Sequence, residues 1–159
     1  MQYRVTVERN KLKFAAAHFA TFGGECEPLH GHNYAVTIEV EGALTGDAWV
    51  CDFSTLKSLG KALCDQLDHK FLLQRESKLL EIDEGASNWK VRFGERGFVF
   101  PKSDVLPLPI DNTTAERIAE YFVASLSASL NERGATNLTK LTVGIEEAPG
   151  QSGWATLSP

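Results

Sequence analysis

Apolar and polar positions alternate through much of the first forty residues. Tyr3 to Ala17 mixes Val, Phe and Tyr with interspersed Lys and Arg and holds neither Pro nor Gly, which predicts a half-buried strand rather than a helix. Gly23 and Gly24 interrupt it. Beyond Pro28, His32-Asn33-Tyr34-Ala35-Val36-Thr37-Ile38-Glu39-Val40 alternates with period two and is rich in β-branched residues, predicting a second strand antiparallel to the first. Gly42 to Asp47 supplies the turn that follows.

The period then changes. After the short apolar run Trp49 to Phe53, Leu56, Leu59, Leu63 and Leu67 recur at helical spacing, with Asp52 or Ser54 as the cap and an end near Asp68-His69. A second amphipathic helix is predicted from about Thr114 to Arg133, with Ile118, Tyr121, Phe122, Leu126 and Leu130 on one side and Gly134 as its stop. Leu141 to Glu147 and Trp154 to Leu157 return to strand. Between the helices, Gln74 to Ile110 is too long for a structureless loop. Within it Trp89 to Phe93 and Gly97 to Phe100, separated by Gly94-Glu95-Arg96, predict a β-hairpin. The order predicts an α+β fold: a four-stranded antiparallel sheet with two helices on one face and an inserted hairpin at about 74–110. A sheet with two open edges tends to pair, so a homo-oligomer is expected.

Length and composition narrow the class. The 159 residues suit one domain, 1–159. The net charge is −5 and no basic run exceeds two residues, which disfavours nucleic acid as a partner. Uncharged stretches such as Phe14 to Gly24 fall well short of the roughly 20 apolar residues of a membrane span, and the N-terminus lacks a signal-peptide pattern. A cytoplasmic protein with no membrane partner is expected. Three cysteines, Cys26, Cys51 and Cys64, are an odd number without C-x-x-C spacing, so no disulfide framework is expected.

The chemistry concentrates in the histidines. There are four, His18, His30, His32 and His69, and three fall within fifteen residues. On an extended strand His30 and His32 project to one side, and His18, at the end of the first strand, can complete a three-nitrogen set if the strands pair. Three protein ligands with one open position is the arrangement of a catalytic zinc, although imidazoles also accept copper, nickel or iron. Cys26 reads either as a packing thiol or, beside such a metal, as a reactive thiolate. Cys51 and Cys64 sit among apolar neighbours and read as core. Asp68-His69 is either a helix terminus with a favourably placed imidazole or an acid–base pair serving Cys26. Of Glu146-Glu147, one carboxylate must point inward and calls for a donor such as the guanidine-like N–H pair of a pterin or guanine.

Phe14-Ala15-Ala16-Ala17-His18, Cys26-Glu27-Pro28-Leu29-His30-Gly31-His32, Val50-Cys51-Asp52-Phe53, Leu67-Asp68-His69, Thr114-Ala115-Glu116 and Glu147-Ala148-Pro149 together spell a pattern that resembles the 6-pyruvoyltetrahydropterin synthase and 6-carboxytetrahydropterin synthase family. The resemblance spans nearly the whole chain outside the insertion. It implies a tunnelling fold assembled as a trimer or hexamer, with active sites at subunit interfaces and zinc on His18, His30 and His32. It further implies Cys26 as general base, Asp68 and His69 as its relay, Glu147 as pterin anchor and Thr114 beside the pterin. The implied reaction is conversion of 7,8-dihydroneopterin triphosphate to 6-carboxy-5,6,7,8-tetrahydropterin on the route to queuosine, or to the 6-pyruvoyl product. Glu27 also satisfies the E-x-x-H-G-H pattern of the folate-linked branch, which releases 6-hydroxymethyldihydropterin and in which that glutamate contributes to the site. Thr113 and Ala148 stand where the family often has Pro and Thr. A non-catalytic pterin- or metal-binding protein is the alternative from another class. The joint presence of Cys26, Asp68, His69 and all three presumptive ligands speaks against it.

Overall fold

The computed structural model describes residues 1–158. Its strands are β1 (Tyr3–His18), β2 (Thr21–Phe22), β3 (Glu25–Cys26), β4 (His30–Gly42), β5 (Lys70–Gln74), β6 (Glu81–Glu84), β7 (Asn88–Phe93), β8 (Arg96–Pro101), β9 (Val105–Leu108), β10 (Leu138–Ala148) and β11 (Gln151–Leu157), with helices α1 (Phe53–Leu67) and α2 (Ala115–Glu132). The main sheet has the order β11-β10-β4-β1-β5-β9. No helix among the described residues is long and apolar enough to cross a membrane.

Two helices lie on one face of the sheet, as predicted, but the expected four antiparallel strands are the larger part of a six-stranded mixed sheet. β5 runs parallel to β1, and β9 parallel to β5. Phe71, Leu72, Leu73 and Gln74 of β5 are all buried, so this strand carries apolar side chains on both faces and shows no alternation for a sequence pattern to reveal. The inserted hairpin is real, β7 and β8 joined by a two-residue turn with Gly94 at φ +56. A third strand, the acidic β6, pairs with β7. This small sheet is the crossover between parallel β5 and β9.

Side-chain alternation gives the main sheet two cores. On the helix side Phe14, Tyr34, Val36, Ile38, Leu56, Ile118, Phe122 and Val143 pack together. On the other side Phe19, Phe71, Leu73, Val105 and Cys26 pack against Trp89 and Val91 of the inserted sheet. Asp52 caps α1, its carboxylate accepting from the amides of Ser54 and Thr55, both at 2.9 Å. Gly60 lets α1 lie close to the sheet, since a Cβ there would meet Ile38 Cδ1 at 2.6 Å and Leu12 Cδ2 at 2.8 Å.

One irregularity in β1 determines what the site contains. Glu8 pairs with Thr37 but Lys13 pairs with Ala35, so residues 9–12 of β1 stand opposite Val36 alone. Arg9 and Asn10 take φ values of 64° and 52° within this bulge. The three extra residues reverse the strand's parity. Val5 and Val7 face the helices before the bulge, and Leu12, Phe14, Ala16 and His18 face them after it. Without the reversal His18 would point to the opposite face from His30 and His32.

Deleting Asn10 alone should therefore misface His18 and abolish binding of a divalent ion at the histidines. Deleting Arg9 and Asn10 together, which restores parity, should retain it. Calorimetric zinc titration of the two proteins checks this, and equal binding by both would contradict the parity argument.

Candidate active site

His18 and His30 are direct partners across β1 and β4, and His32 lies opposite Ala16, one diagonal step away. Directly opposed residues of an antiparallel pair project to the same face. The three rings accordingly converge with centroids 4.7 Å (18 to 30), 5.1 Å (18 to 32) and 4.9 Å (30 to 32) apart. One nitrogen from each lies within 4.8 Å of the others, a group that could hold a metal ion. Gly31 between the two ligands leaves room for β1, since a Cβ there would stand 3.0 Å from the Ala16 carbonyl oxygen.

The donor set is already oriented. His18 Nδ1 lies 3.0 Å from the carbonyl oxygen of Thr113, and His30 Nδ1 lies 2.7 Å from that of Pro28. A carbonyl only accepts, so each Nδ1 carries the hydrogen and each Nε2 presents a lone pair, the tautomer a metal needs. His18 Nε2 is buried without a hydrogen-bond partner, as is the hydroxyl of Tyr34 behind the triad. An orphaned buried nitrogen among converging imidazoles fits a resident cation.

Behind His18 stands a polar network invisible to sequence reasoning. Thr113 Oγ1 lies 3.2 Å from His18 Nδ1, the Phe19 carbonyl oxygen and Gln74 Oε1, while Gln74 Nε2 donates to the same Phe19 carbonyl at 3.1 Å. Thr113 and Gln74 are fully buried. Their partners are 39 to 95 residues apart in sequence, and no local pattern announces them.

Three further predicted residues gather here. Glu147 Oε1 stands 3.4 Å from His18 Nε2 and 3.6 Å from His32 Nε2. With Glu27, Thr114 and Glu116 it lines a recess of about 310 Å³. Glu27 Oε1 accepts from the Ala20 amide at 2.8 Å, and the Glu27 amide donates to the Ala20 carbonyl at 3.0 Å, a reciprocal pair that closes the intervening loop. Thr114 caps α2, accepting from the Arg117 amide at 3.3 Å. Three carboxylates in one recess suit a ligand that presents several N–H donors.

The Cys26 thiol and the Asp68–His69 pair lie outside this recess. Cys26 is 8% exposed and packs in the second core, under the inserted sheet. Burial pushes its thiol up from the ordinary value, with the Arg96 guanidinium working in the opposite direction. Asp68 ends α1 and binds β1, Oδ1 accepting from the Ala15 amide at 2.8 Å while the His69 amide donates to the Ala15 carbonyl at 2.6 Å. That Ala15 contact, and then His69, holds the Asp68 carboxyl below its usual range. His69 takes φ 59° just past the helix, and its Nδ1 is 2.9 Å from Asp68 Oδ2. Its ring is 82% exposed. It borders a cavity of about 510 Å³ along Ala15, Ala17, Gly31 and Asn33, which Ala16 and His32 also line. The helix-terminus and acid–base readings of this pair are compatible, because the geometry that ends the helix also orients the imidazole.

Burial, and secondarily the His30 imidazole, lowers the His18 pKa to about 4 from 6.5. In metal-stripped protein the unfolded chain then binds a proton on His18 between these values that the folded chain refuses. Stability should fall as the pH drops from 6.5 towards 4, with this contribution fully lost below 4. Urea unfolding at stepped pH checks it against His18→Asn, whose profile should be flatter across that window. Superimposable profiles would contradict the assignment.

Comparison with known proteins is consistent with this geometry. The family model for 6-pyruvoyl tetrahydropterin synthase matches residues 6–157. A Methanocaldococcus jannaschii protein, provisionally named 6-carboxy-5,6,7,8-tetrahydropterin synthase, is 33% identical over 141 residues, 88% of this chain and 86% of its own. The crystal structure of 6-pyruvoyl tetrahydropterin synthase from Plasmodium vivax superposes with a TM-score of 0.94 at 32% identity, covering 100% of this chain and 99% of that one. A variant of that enzyme, in which a glutamate described as a catalytic residue is replaced by alanine, superposes with a TM-score of 0.94 at 31% identity over the same shares of the two chains.

Proposed function

The chain belongs to the 6-pyruvoyl tetrahydropterin synthase family of α+β pterin synthases, and on that premise we propose that it converts 7,8-dihydroneopterin triphosphate to 6-carboxy-5,6,7,8-tetrahydropterin. The observation that carries the reading is the Glu147 carboxylate, held beside three converging imidazoles at the edge of a carboxylate-lined recess. An N–H pair on a pterin ring matches a carboxylate in geometry and charge. Glu147 then anchors the ring, and Thr114, at the mouth of α2, borders it.

His18, His30 and His32 would hold zinc, three neutral nitrogens being a ligand set that leaves a position open. Zinc so held supplies Lewis acidity to the hydroxyls of the substrate side chain. The remaining work is proton transfer by this chain's own groups. Asp68 holds the His69 ring through Nδ1, which leaves Nε2 free to exchange a proton. Cys26 is the general base in this reading. Loss of triphosphate with internal redox gives the pyruvoyl side chain, and cleavage between its two carbonyl carbons with addition of water gives the 6-carboxy product and acetaldehyde.

Because His69 lies outside the group of converging nitrogens and its ring is turned to solvent, a second copy is what would complete the proposed site. A homo-oligomer, trimer or hexamer, with sites at the subunit interfaces answers that requirement. The open edges of β9 and β11 are suited to such joining.

A second reading is favoured by one specific observation. Glu27 lines the recess with Glu147, whereas the Cys26 thiol packs in the second core. With Glu27 as the base, its Oε1 fixed by the Ala20 amide and its other oxygen available for the proton of the second side-chain hydroxyl, the bond between the first two side-chain carbons would break, giving 6-hydroxymethyldihydropterin and a two-carbon aldehyde that carries the triphosphate. The catalytic glutamate of the Plasmodium vivax enzyme supports this reading.

Incubating zinc-loaded protein with 7,8-dihydroneopterin triphosphate and identifying products by mass spectrometry separates the two. The first reading expects 6-carboxytetrahydropterin and a roughly 100- to 10,000-fold loss of turnover in Cys26→Ala with metal retained. The second expects 6-hydroxymethyldihydropterin and the larger loss in Glu27→Ala. Unchanged substrate with metal-replete, oligomeric wild-type protein would contradict both and favour a binding protein.

A further inference from the structure

The inserted sheet reaches back to the segment that carries both candidate bases. Arg96 opens β8, directly after the Gly94-Glu95 turn. Its Nη1 donates to the Cys26 carbonyl oxygen at 2.9 Å and its Nη2 to the Glu27 carbonyl oxygen at 3.0 Å. The guanidinium also lies over the Phe98 ring, 5.5 Å from its centroid, which fixes its plane. Among the described residues no carboxylate forms an ion pair with Arg96, so the fork is spent on these two carbonyls.

Successive carbonyls of an extended chain point to opposite sides, and here two converge on one cation. The fork therefore ties down the backbone where β3 ends, and the two side chains leave it in different directions. Cys26 enters the core made by Phe71, Trp89 and Val91, and Glu27 enters the recess beside Glu147. Arginine suits this task because its rigid planar fork satisfies two acceptors at once, which a lysine ammonium on a flexible stem does not.

We propose that Arg96 is a positioning residue contributed by the insertion, whose hold on the Cys26 and Glu27 carbonyls sets which of the two side chains faces the histidine triad and so governs proton transfer and product. This deepens the pterin-synthase reading and rests on it. It gives the 74–110 segment a function in the site rather than at its periphery.

The test uses full-length, zinc-loaded Arg96→Ala and Arg96→Lys, with 7,8-dihydroneopterin triphosphate as substrate. Arg96→Ala should lower kcat roughly 10- to 100-fold, as expected for misplacement of a catalytic group. KM should move by no more than about threefold, with bound zinc unchanged and an altered proportion of pterin products. Arg96→Lys should be intermediate, and millimolar methylguanidine should restore part of the activity of Arg96→Ala. A second readout needs no turnover: hydrogen–deuterium exchange of the peptide covering residues 20–29 should quicken in Arg96→Ala and slow again with methylguanidine. Wild-type kcat and product proportions in Arg96→Ala would overturn the proposal. So would a loss of kcat that follows zinc content or Tm and is not relieved by methylguanidine. Should wild-type protein convert no pterin while exchange still responds to Arg96 and methylguanidine, the pterin reading fails and the clamp itself stands.

Discussion

Everything at the site depends on the register of β1 against β4 beyond the bulge. Setting His18 opposite His30, with His32 two residues on, is enough to bring three imidazoles to one point. That register exists only because three extra residues are taken up within positions 9–12, which brings β1 to the right parity. Strain at Arg9 and Asn10, both in the left-handed region, is the local cost of that arrangement. The sheet around it is held by two cores rather than one, so neither strand can slip without exposing apolar side chains on both faces.

Burial then does chemical work at this point. His18, 1% exposed, stays neutral because charging it would remove solvation that the interior does not replace. The Thr113 carbonyl fixes its tautomer, and Gln74 and Thr113 satisfy one another and Phe19 behind it. A ring that is neutral, oriented and unpaired at Nε2 is prepared for a cation before any arrives. Asp68 and His69 are prepared in a different way, tied to β1 through Ala15 yet with the imidazole turned to solvent. The contrast between a finished half-site and an exposed one is what makes assembly part of the proposed mechanism.

Much of this could be read from the chain, for reasons tied to particular residues. The leucines of α1 and the Asp52 cap follow from local spacing, as does the alternation of β4 that sets His30 and His32 on one side. β5 escaped because a strand buried on both faces loses its period, β9 because four residues interrupted by Pro107 are too few to show one, and β6 because Glu-Ile-Asp-Glu has little apolar content to detect. The bulge escaped because positive φ at Arg9 and Asn10 follows from pairing with the distant residues Ala35 to Thr37 rather than from the residues themselves. Thr113 was visible only as a departure from a family pattern, and Gln74 and Arg96 only as parts of an insertion. Their contacts cross 39 to 95 residues. Long-range polar contacts of single side chains leave no periodic trace in a sequence.

The central claim is that the three histidines and Glu147 form one site for a metal and a pterin. Its most direct test is a crystal structure of the protein grown with zinc and 7,8-dihydroneopterin, with anomalous data collected at the zinc edge. One anomalous peak per chain should lie about 2.0–2.1 Å from an imidazole nitrogen of each of His18, His30 and His32, with the pterin N–H edge on Glu147. A triad without a peak, or a pterin bound away from Glu147, would contradict it.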